Sequence, residues 1–351
     1  MNIEDLLDEV LKRNASDLQL TVGVYPSVRV DGSLEPLGTY KKLTKESVKI
    51  LVYSVLNDQQ KEILEKDKEV DFSFAYGELA RFRANAYHQK GNISMSLRII
   101  PSKIKSIDEL GMPQICNVFA NYSQGLVLVT GPTGSGKSTT IAAMIEKVNQ
   151  ERAEHIITIE DPIEYNYQNK MSMIAQRELH YDTRNFGNAL RAVLREDPNV
   201  VLVGEMRDLE TISSAVTIAE TGHLVFTTLH TNSASQTIDR IIDVFPPHQQ
   251  QQIRIQLSSI LIGVVSQRLI PAIGGGRIPA AEVMIINDAV RNIIREGKTH
   301  QLDNIIQTSA AEQMQTMDSD LARLVKSGRI SLEDAKQYAI NLKQLERLVS
   351  S

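Results

Sequence analysis

The segment Gly131-Pro132-Thr133-Gly134-Ser135-Gly136-Lys137-Ser138-Thr139 constrains this chain more than any other. An apolar run, Leu126-Val127-Leu128-Val129, precedes it, and a helix-like run, Thr140-Ile141-Ala142-Ala143-Met144-Ile145, follows. This is the G-x-x-x-x-G-K-[ST] phosphate loop in the strand–loop–helix setting it requires. Its glycines let consecutive backbone N–H groups turn inward onto phosphate oxygens, with the positive end of the following helix behind them. Lys137 is placed to reach the β- and γ-phosphates, and Ser138 to ligate Mg²⁺. The expectation is a site for a nucleoside triphosphate, ATP with Mg²⁺, built from residues 131 to 139, and hence an α/β fold.

The strand candidates around this loop are Leu126 to Thr130, His155 to Ile159, Val200 to Val203, Leu224 to Thr228 and Ala281 to Ile286. Their continuous apolar character predicts a mainly parallel sheet covered on both faces, a P-loop core of RecA-like type. Helices are predicted over Phe186 to Glu196 and Leu209 to Glu220, and the chain beyond Asp288 reads as helical. Residues 1–100 read as a separate α/β module. A helix over Ile3 to Lys12 is followed by strands Asp17 to Thr21 and Ser27 to Val30, an Asp31-Gly32 turn, and helices around Lys45 to Leu56 and Asp58 to Lys66. An antiparallel meander then runs through Val70 to Ala75, Ala80 to His88 and Ile93 to Ile100. The expected division is 1–100, a linker at 101–113, an ATPase domain at 114–290 and a helical region at 291–351.

Composition excludes several classes. The 351 residues carry a formal net charge of −5 and a single cysteine, Cys116. No basic field invites nucleic acid, and neither an intrachain disulfide nor a CxxC zinc site can form. The acidic, amphipathic start is unlike a signal peptide. The longest uncharged apolar stretch, Leu257 to Val265, is far too short to span a bilayer and is bounded by Arg254 and Arg268. These features predict a soluble, cytoplasmic protein without a transmembrane segment.

Four further groups of residues carry chemistry. The run Val200-Val201-Leu202-Val203-Gly204-Glu205 puts a carboxylate at the end of a buried strand, as a Walker B element does. Gly204 stands where many P-loop enzymes have Asp, so Glu205 acts alone as metal-site and catalytic carboxylate, the alternative being a Glu that only marks a strand end. Ile159-Glu160-Asp161-Pro162-Ile163-Glu164 supplies a second acidic cluster. There Glu164 is the candidate for orienting water, unless Asp-Pro merely starts a helix. His230, at a strand end, is the candidate γ-phosphate sensor, whereas His223 reads equally well as a capping or core histidine. Arg81 and Arg83 alternate on one strand and so share a face, as solvated arginines or as a trans-acting finger.

In this order the boxes resemble the secretion ATPase superfamily of type II secretion and type IV pilus motors, and within it the pilus retraction motors. The similarity spans essentially the whole length. Val30-Asp31-Gly32 and Arg81-Phe82-Arg83-Ala84-Asn85 match a PAS-like N-terminal domain. Gly131 to Thr139 matches Walker A, and Ile159 to Glu164 the Asp box. Gly204 to Asp208 matches Walker B, and Thr221 to His223 through His230 to Asn232 the His box. Ala289-Val290-Arg291-Asn292-Ile293-Ile294 resembles the AIRNLI signature of retraction motors. Gln19 departs from the family, which usually has His there. The resemblance implies a PAS-like α+β domain ahead of the RecA-like core and helical C-terminal region. It further implies a homohexamer with ATP where subunits meet, Glu205 and Glu164 organising water, and Arg81, Arg83 and Arg98 acting across the interface. Motion about the linker near Ser102 to Pro113 would drive an inner-membrane pilus platform protein, alongside a paralogous retraction ATPase where one exists. The protein would then be peripheral at the inner membrane. Extension motors have a longer N-terminal region and usually a tetracysteine motif, and one cysteine fits retraction better. The competing expectations are an assembly or type II secretion motor, a non-hydrolysing nucleotide switch, and a nucleic-acid translocase disfavoured by the acidic balance.

Overall fold

Strand-period alternation builds the first sheet. On Ala80–Gln89 the side chains of Phe82, Ala84 and Ala86 are buried while Arg83 is exposed. The computed structural model describes residues 1–30, 32–77, 80–100 and 104–350. Asp31 of the expected turn and the first linker residues, Pro101, Ser102 and Lys103, lie outside the described residues. The chain divides into two units, one of Met1–Lys103 with Glu164–Asn166, the other of Ile104–Ile163 and Tyr167–Ser351.

The first unit contains β1 (Asp17–Leu20), β2 (Ser27–Val30), β3 (Ser33–Pro36), β4 (Glu69–Tyr76), β5 (Ala80–Gln89) and β6 (Asn92–Ile100). They form one antiparallel sheet of order β3-β2-β1-β6-β5-β4. Helices Ile3–Lys12, Lys45–Tyr53 and Asp58–Asp67 bury Leu6, Leu7, Val10, Val48, Leu51 and Leu64 with Leu18, Leu20, Phe72, Phe82 and Met95 of the sheet. Each helix begins with a reciprocal capping box, Asn2 with Asp5, Thr44 with Ser47, and Asn57 with Gln60, which satisfies two otherwise orphaned amides per helix. The meander β4–β6 follows the sequence expectation. Strand β3 does not feature in it, because all four of its residues are exposed on a sheet edge and leave no apolar alternation to read.

The second unit holds a seven-stranded sheet of β7 (Gly125–Thr130), β8 (His155–Glu160), β9 (Met173–Glu178), β10 (Val200–Val203), β11 (Leu224–Leu229), β12 (Leu261–Pro271) and β13 (Arg277–Ile285). The order is β13-β12-β7-β11-β10-β8-β9. All pairings are parallel except β12 with β13. Every residue of β7, β10 and β11 is buried, which is why these segments read as uninterrupted apolar runs. Two strands escaped the sequence. β9 is a half-exposed edge carrying Gln176 and Arg177. β12 continues straight from helix Pro247–Ile260 with no turn residue between, so its apolar start merges with the helix. Gly263 lets β12 pass against Phe119, since a Cβ there would lie 2.3 Å from the ring. Beyond β13, helix Met317–Lys326 packs Met317, Leu321 and Leu324 on Ile270, Ile278 and Ala280 of the β12–β13 hairpin. The C-terminal helices therefore share a core with the sheet.

Candidate nucleotide site

β7 delivers the chain into the loop at Gly131. Its φ is +141°, and a Cβ would lie 2.3 Å from the carbonyl oxygen of Gln267, so no side chain fits. Gly134 and Gly136 follow at φ +79° and +89°, in the left-handed region that glycine enters without strain. Helix Lys137–Glu151 starts from Gly136 without a side-chain cap. Ser135 Oγ is buried and has no hydrogen-bond partner among the described residues. An uncapped helix start beside an unsatisfied buried hydroxyl, in a loop of left-handed glycines, fits a phosphate. The buried Lys137 ammonium folds over the loop and donates to the carbonyls of Gly131 at 2.9 Å and Pro132 at 3.2 Å.

A residue far along the chain braces this loop. Gln267 on β12 is 2 % exposed; its Nε2 donates to Ser135 O at 2.6 Å, and its Oε1 accepts from Thr140 Oγ1 at 2.8 Å. One amide thus ties the loop to the first turn of its helix. The sequence assigns Gln267 no role, and only its position inside an apolar strand hinted at one. Gln267→Leu keeps the shape and strands two buried polar groups, each worth about 1–3 kcal/mol. Urea unfolding should show a loss of about 2–4 kcal/mol, and KM for ATP should rise.

β10 carries Glu205 to the same place. Gly204 precedes it where a Cβ would lie 3.2 Å from Ile159 O and 3.3 Å from Glu160 Cα, so the neighbouring strand leaves no comfortable room for the aspartate many P-loop enzymes have there. Glu205 Oε2 pairs with Arg207 Nη2 at 2.9 Å, and Oε1 lies 3.3 Å from His230 Nε2. The other ring nitrogen of His230 is 3.4 Å from Thr133 Oγ1 of the phosphate loop. Burial pushes the Glu205 carboxyl up, but hydrogen bonding and charge from Arg207, aided by His230, outweigh it and hold it below the ordinary carboxylate range. The bond to Glu205 in turn raises Arg207. Arg207, matched in sequence only as part of the Walker B box with no role given, is the cation that pairs with Glu205.

His223 lies at the opposite end of β11, where Nδ1 is 2.9 Å from Ile218 O and 3.1 Å from Thr221 Oγ1. It closes the C-terminal turn of helix Leu209–Glu220 and is a capping histidine. In the acidic cluster, Glu160 is buried and accepts from Thr158 Oγ1 at 2.7 Å. No helix follows Asp161-Pro162, which removes the helix-start alternative. Glu164 is exposed and groups with the first unit, whereas Glu205 belongs to the second.

Within the first unit, Arg81 and Arg83 do share a face. Arg81 Nη2 donates to Ser73 Oγ at 2.7 Å, and Arg83 is exposed and opposite Arg98 in the β5–β6 register. Arg98 Nε donates to the buried Asp17 at 2.8 Å. Gln19 accepts from Ser96 Oγ at 2.6 Å, a cross-strand bond on the same sheet.

Residues 1–275 match the family described as type II/IV secretion system protein. The chain is 49% identical over 339 residues to the type IV pilus retraction ATPase PilT of Pseudomonas aeruginosa, covering 97% of this chain and 98% of that protein. It is 50% identical over 317 residues to a twitching motility protein of Neisseria gonorrhoeae, covering 90% and 84%. Its structure superposes on the crystal structure of the pilus retraction motor PilT with bound ADP at a TM-score of 0.93, with 49% identity and 99% of each chain covered.

Proposed function

The chain belongs to the type II/IV secretion system protein family, and on that premise we propose that it is an ATPase motor that retracts type IV pili. The observation that carries this is the meeting of Glu205, His230 and Thr133 beside the phosphate loop, in a chain with 49% identity over nearly its whole length to a pilus retraction ATPase. An ATP-hydrolysing enzyme needs a rigid cradle, a charge partner for the phosphates and a carboxylate beside the attacking water.

Each part has an owner. Residues Gly131 to Thr139 cradle the phosphates, and the Lys137 ammonium moves from the Gly131 and Pro132 carbonyls to the β/γ-phosphate oxygens. Ser138 and Glu205 are the residues that would hold Mg²⁺, which would supply positive charge against the phosphates. Glu205 orients the attacking water and accepts its proton. Arg207 keeps that carboxylate ionised, and His230 hydrogen-bonds the γ-phosphate and reports its loss. Glu164 assists in ordering water. The N-terminal unit is PAS-like and supplies Arg81, Arg83 and Arg98 to the nucleotide of a neighbouring subunit in a homohexamer, where positive charge stabilises the transition state. Among the described residues no helix is long and apolar enough to cross a membrane. The protein is proposed to act from the cytoplasm on an inner-membrane pilus platform protein, beside a paralogous retraction ATPase where one is encoded.

Deleting the gene tests the direction of the motor. Cells should keep surface pili, more of them than wild type, and lose twitching on agar. Loss of surface pili would assign the chain to assembly instead, and unchanged pili with unchanged twitching would remove it from the pilus altogether.

A further inference from the structure

Glu282 lies on β13, 5 % exposed, in a position that none of the nucleotide-binding boxes explains. Its Oε1 accepts the backbone N–H of Ala234 at 2.8 Å, across a sequence gap of 48 residues. Ala234 is the first residue of helix Ala234–Asp243, and the four residues before it are His230, Thr231, Asn232 and Ser233. The other ties on that turn are local. Ser233 Oγ accepts from Gln236 N at a long 3.3 Å, and the Thr231 and Thr237 hydroxyls meet at 2.7 Å. Glu282 therefore provides the hydrogen-bonded tie from the end of the His230 loop to β13, beside the apolar packing of Ala234, Ile238 and Ile241 in the core.

The carboxylate is held there at a cost. Arg268 on β12 is the cation that acts on it, yet it donates to Tyr338 O at 2.7 Å, and among the described residues no cation lies within ion-pair distance of Glu282. Asp303 of helix Leu302–Thr308 and Asp318 of helix Met317–Lys326 oppose its charge, while the positive end of helix Ala234–Asp243 favours it. A glutamine would make the same backbone hydrogen bond without a buried charge. Retaining the acid makes sense if the strength of the tie matters more than stability.

We propose that Glu282 is a positioning residue for ATP hydrolysis: its ionised carboxylate anchors the N-terminus of helix Ala234–Asp243 and thereby holds His230 against Glu205 and Thr133. This rests on the role given to His230 above. Burial, reinforced by the two aspartates, pushes the Glu282 carboxyl up to about 7. The tie is then full strength above neutrality and weakens as the group protonates below it. Stability runs the other way. A carboxyl whose pKa is raised on folding favours the folded state below its unfolded pKa, and that contribution is lost as pH rises through the folded value.

The test is the steady-state ATPase of the full-length protein between pH 6 and 8.5, with thermal midpoints at pH 5.5 and 8, for wild type, Glu282→Gln and His230→Ala. Wild-type kcat should rise through a midpoint near 7. Glu282→Gln should lose that rise and run about tenfold slower at pH 8, the scale of a small misplacement at a site, with KM for ATP within about twofold. Its thermal midpoint at pH 8 should lie above wild type, with a smaller difference at pH 5.5. A purely structural glutamate would instead lose stability with activity. A Glu282→Gln profile that still rises through neutrality, or a lowered thermal midpoint at pH 8, would overturn the proposal. If His230→Ala turns over like wild type, the reading of His230 fails and this inference with it. If His230→Ala is slow while Glu282→Gln matches wild type, only the inference about Glu282 fails.

Discussion

Replacing Lys137 with alanine should weaken ATP binding by about 10²- to 10⁴-fold and remove measurable turnover. Lys137 is buried, and its ammonium is preformed over the loop by the Gly131 and Pro132 carbonyls. Transferring those two hydrogen bonds to phosphate oxygens replaces neutral acceptors by charged ones, each worth about 1.5–3 kcal/mol. No other ammonium or guanidinium in the loop takes over. Calorimetric titration with Mg²⁺–ATP measures the loss, with circular dichroism showing that the fold persists. Binding of ATP with wild-type affinity would mean that the phosphates lie elsewhere and would remove the basis of the assignment.

The second large effect is expected at Glu205. Glu205→Gln should bind ATP near wild-type affinity and hydrolyse it about 10²–10⁴-fold more slowly, the usual contribution of a positioned base. The isosteric amide still reaches Arg207 and His230, so the loss isolates the charge. Because Arg207 holds the wild-type carboxyl below the ordinary range, Glu205 stays ionised down through mildly acid pH. Any change in rate between pH 6 and 8 must therefore come from another group. Mixed rings extend the test: Arg81→Ala subunits combined with Glu205→Gln subunits should recover hydrolysis that neither parent shows, if Arg81 completes a neighbour's site. Wild-type turnover by Glu205→Gln would end its role as base, and unrecovered activity in mixed rings would end that of Arg81 as a trans-acting group.

How far the site could be read in advance depended on chain distance. Gly131 to Thr139 were legible because glycine torsions and the strand-to-helix switch are local properties of consecutive residues. Glu205 was legible because a buried strand ending in an acid leaves a continuous apolar run before it. Arg207 was matched within the Walker B box but given no role, since only the fold turns its guanidinium onto Glu205. His230 was placed at a strand end by pattern, but its bridge between Glu205 and Thr133 needed β11 and β7 to lie side by side. Strands β9 and β12 were lost for opposite reasons, too much exposure at a sheet edge and too smooth a passage out of a helix.

By itself the sequence determined a glycine-rich strand–loop–helix motif within an α/β core, behind a separate antiparallel module. Backbone torsion preference and hydrophobic period act over a few residues and survive without any tertiary partner. Only the tertiary structure decided which polar side chains brace the loop and the His230 turn beside it. Gln267 reaches Ser135 over 132 residues, His230 reaches Thr133 over 97, and Glu282 reaches Ala234 over 48. Burial makes the contacts of Gln267 and Glu282 matter, because a polar group removed from water must find its partner wherever the packed chain has put one.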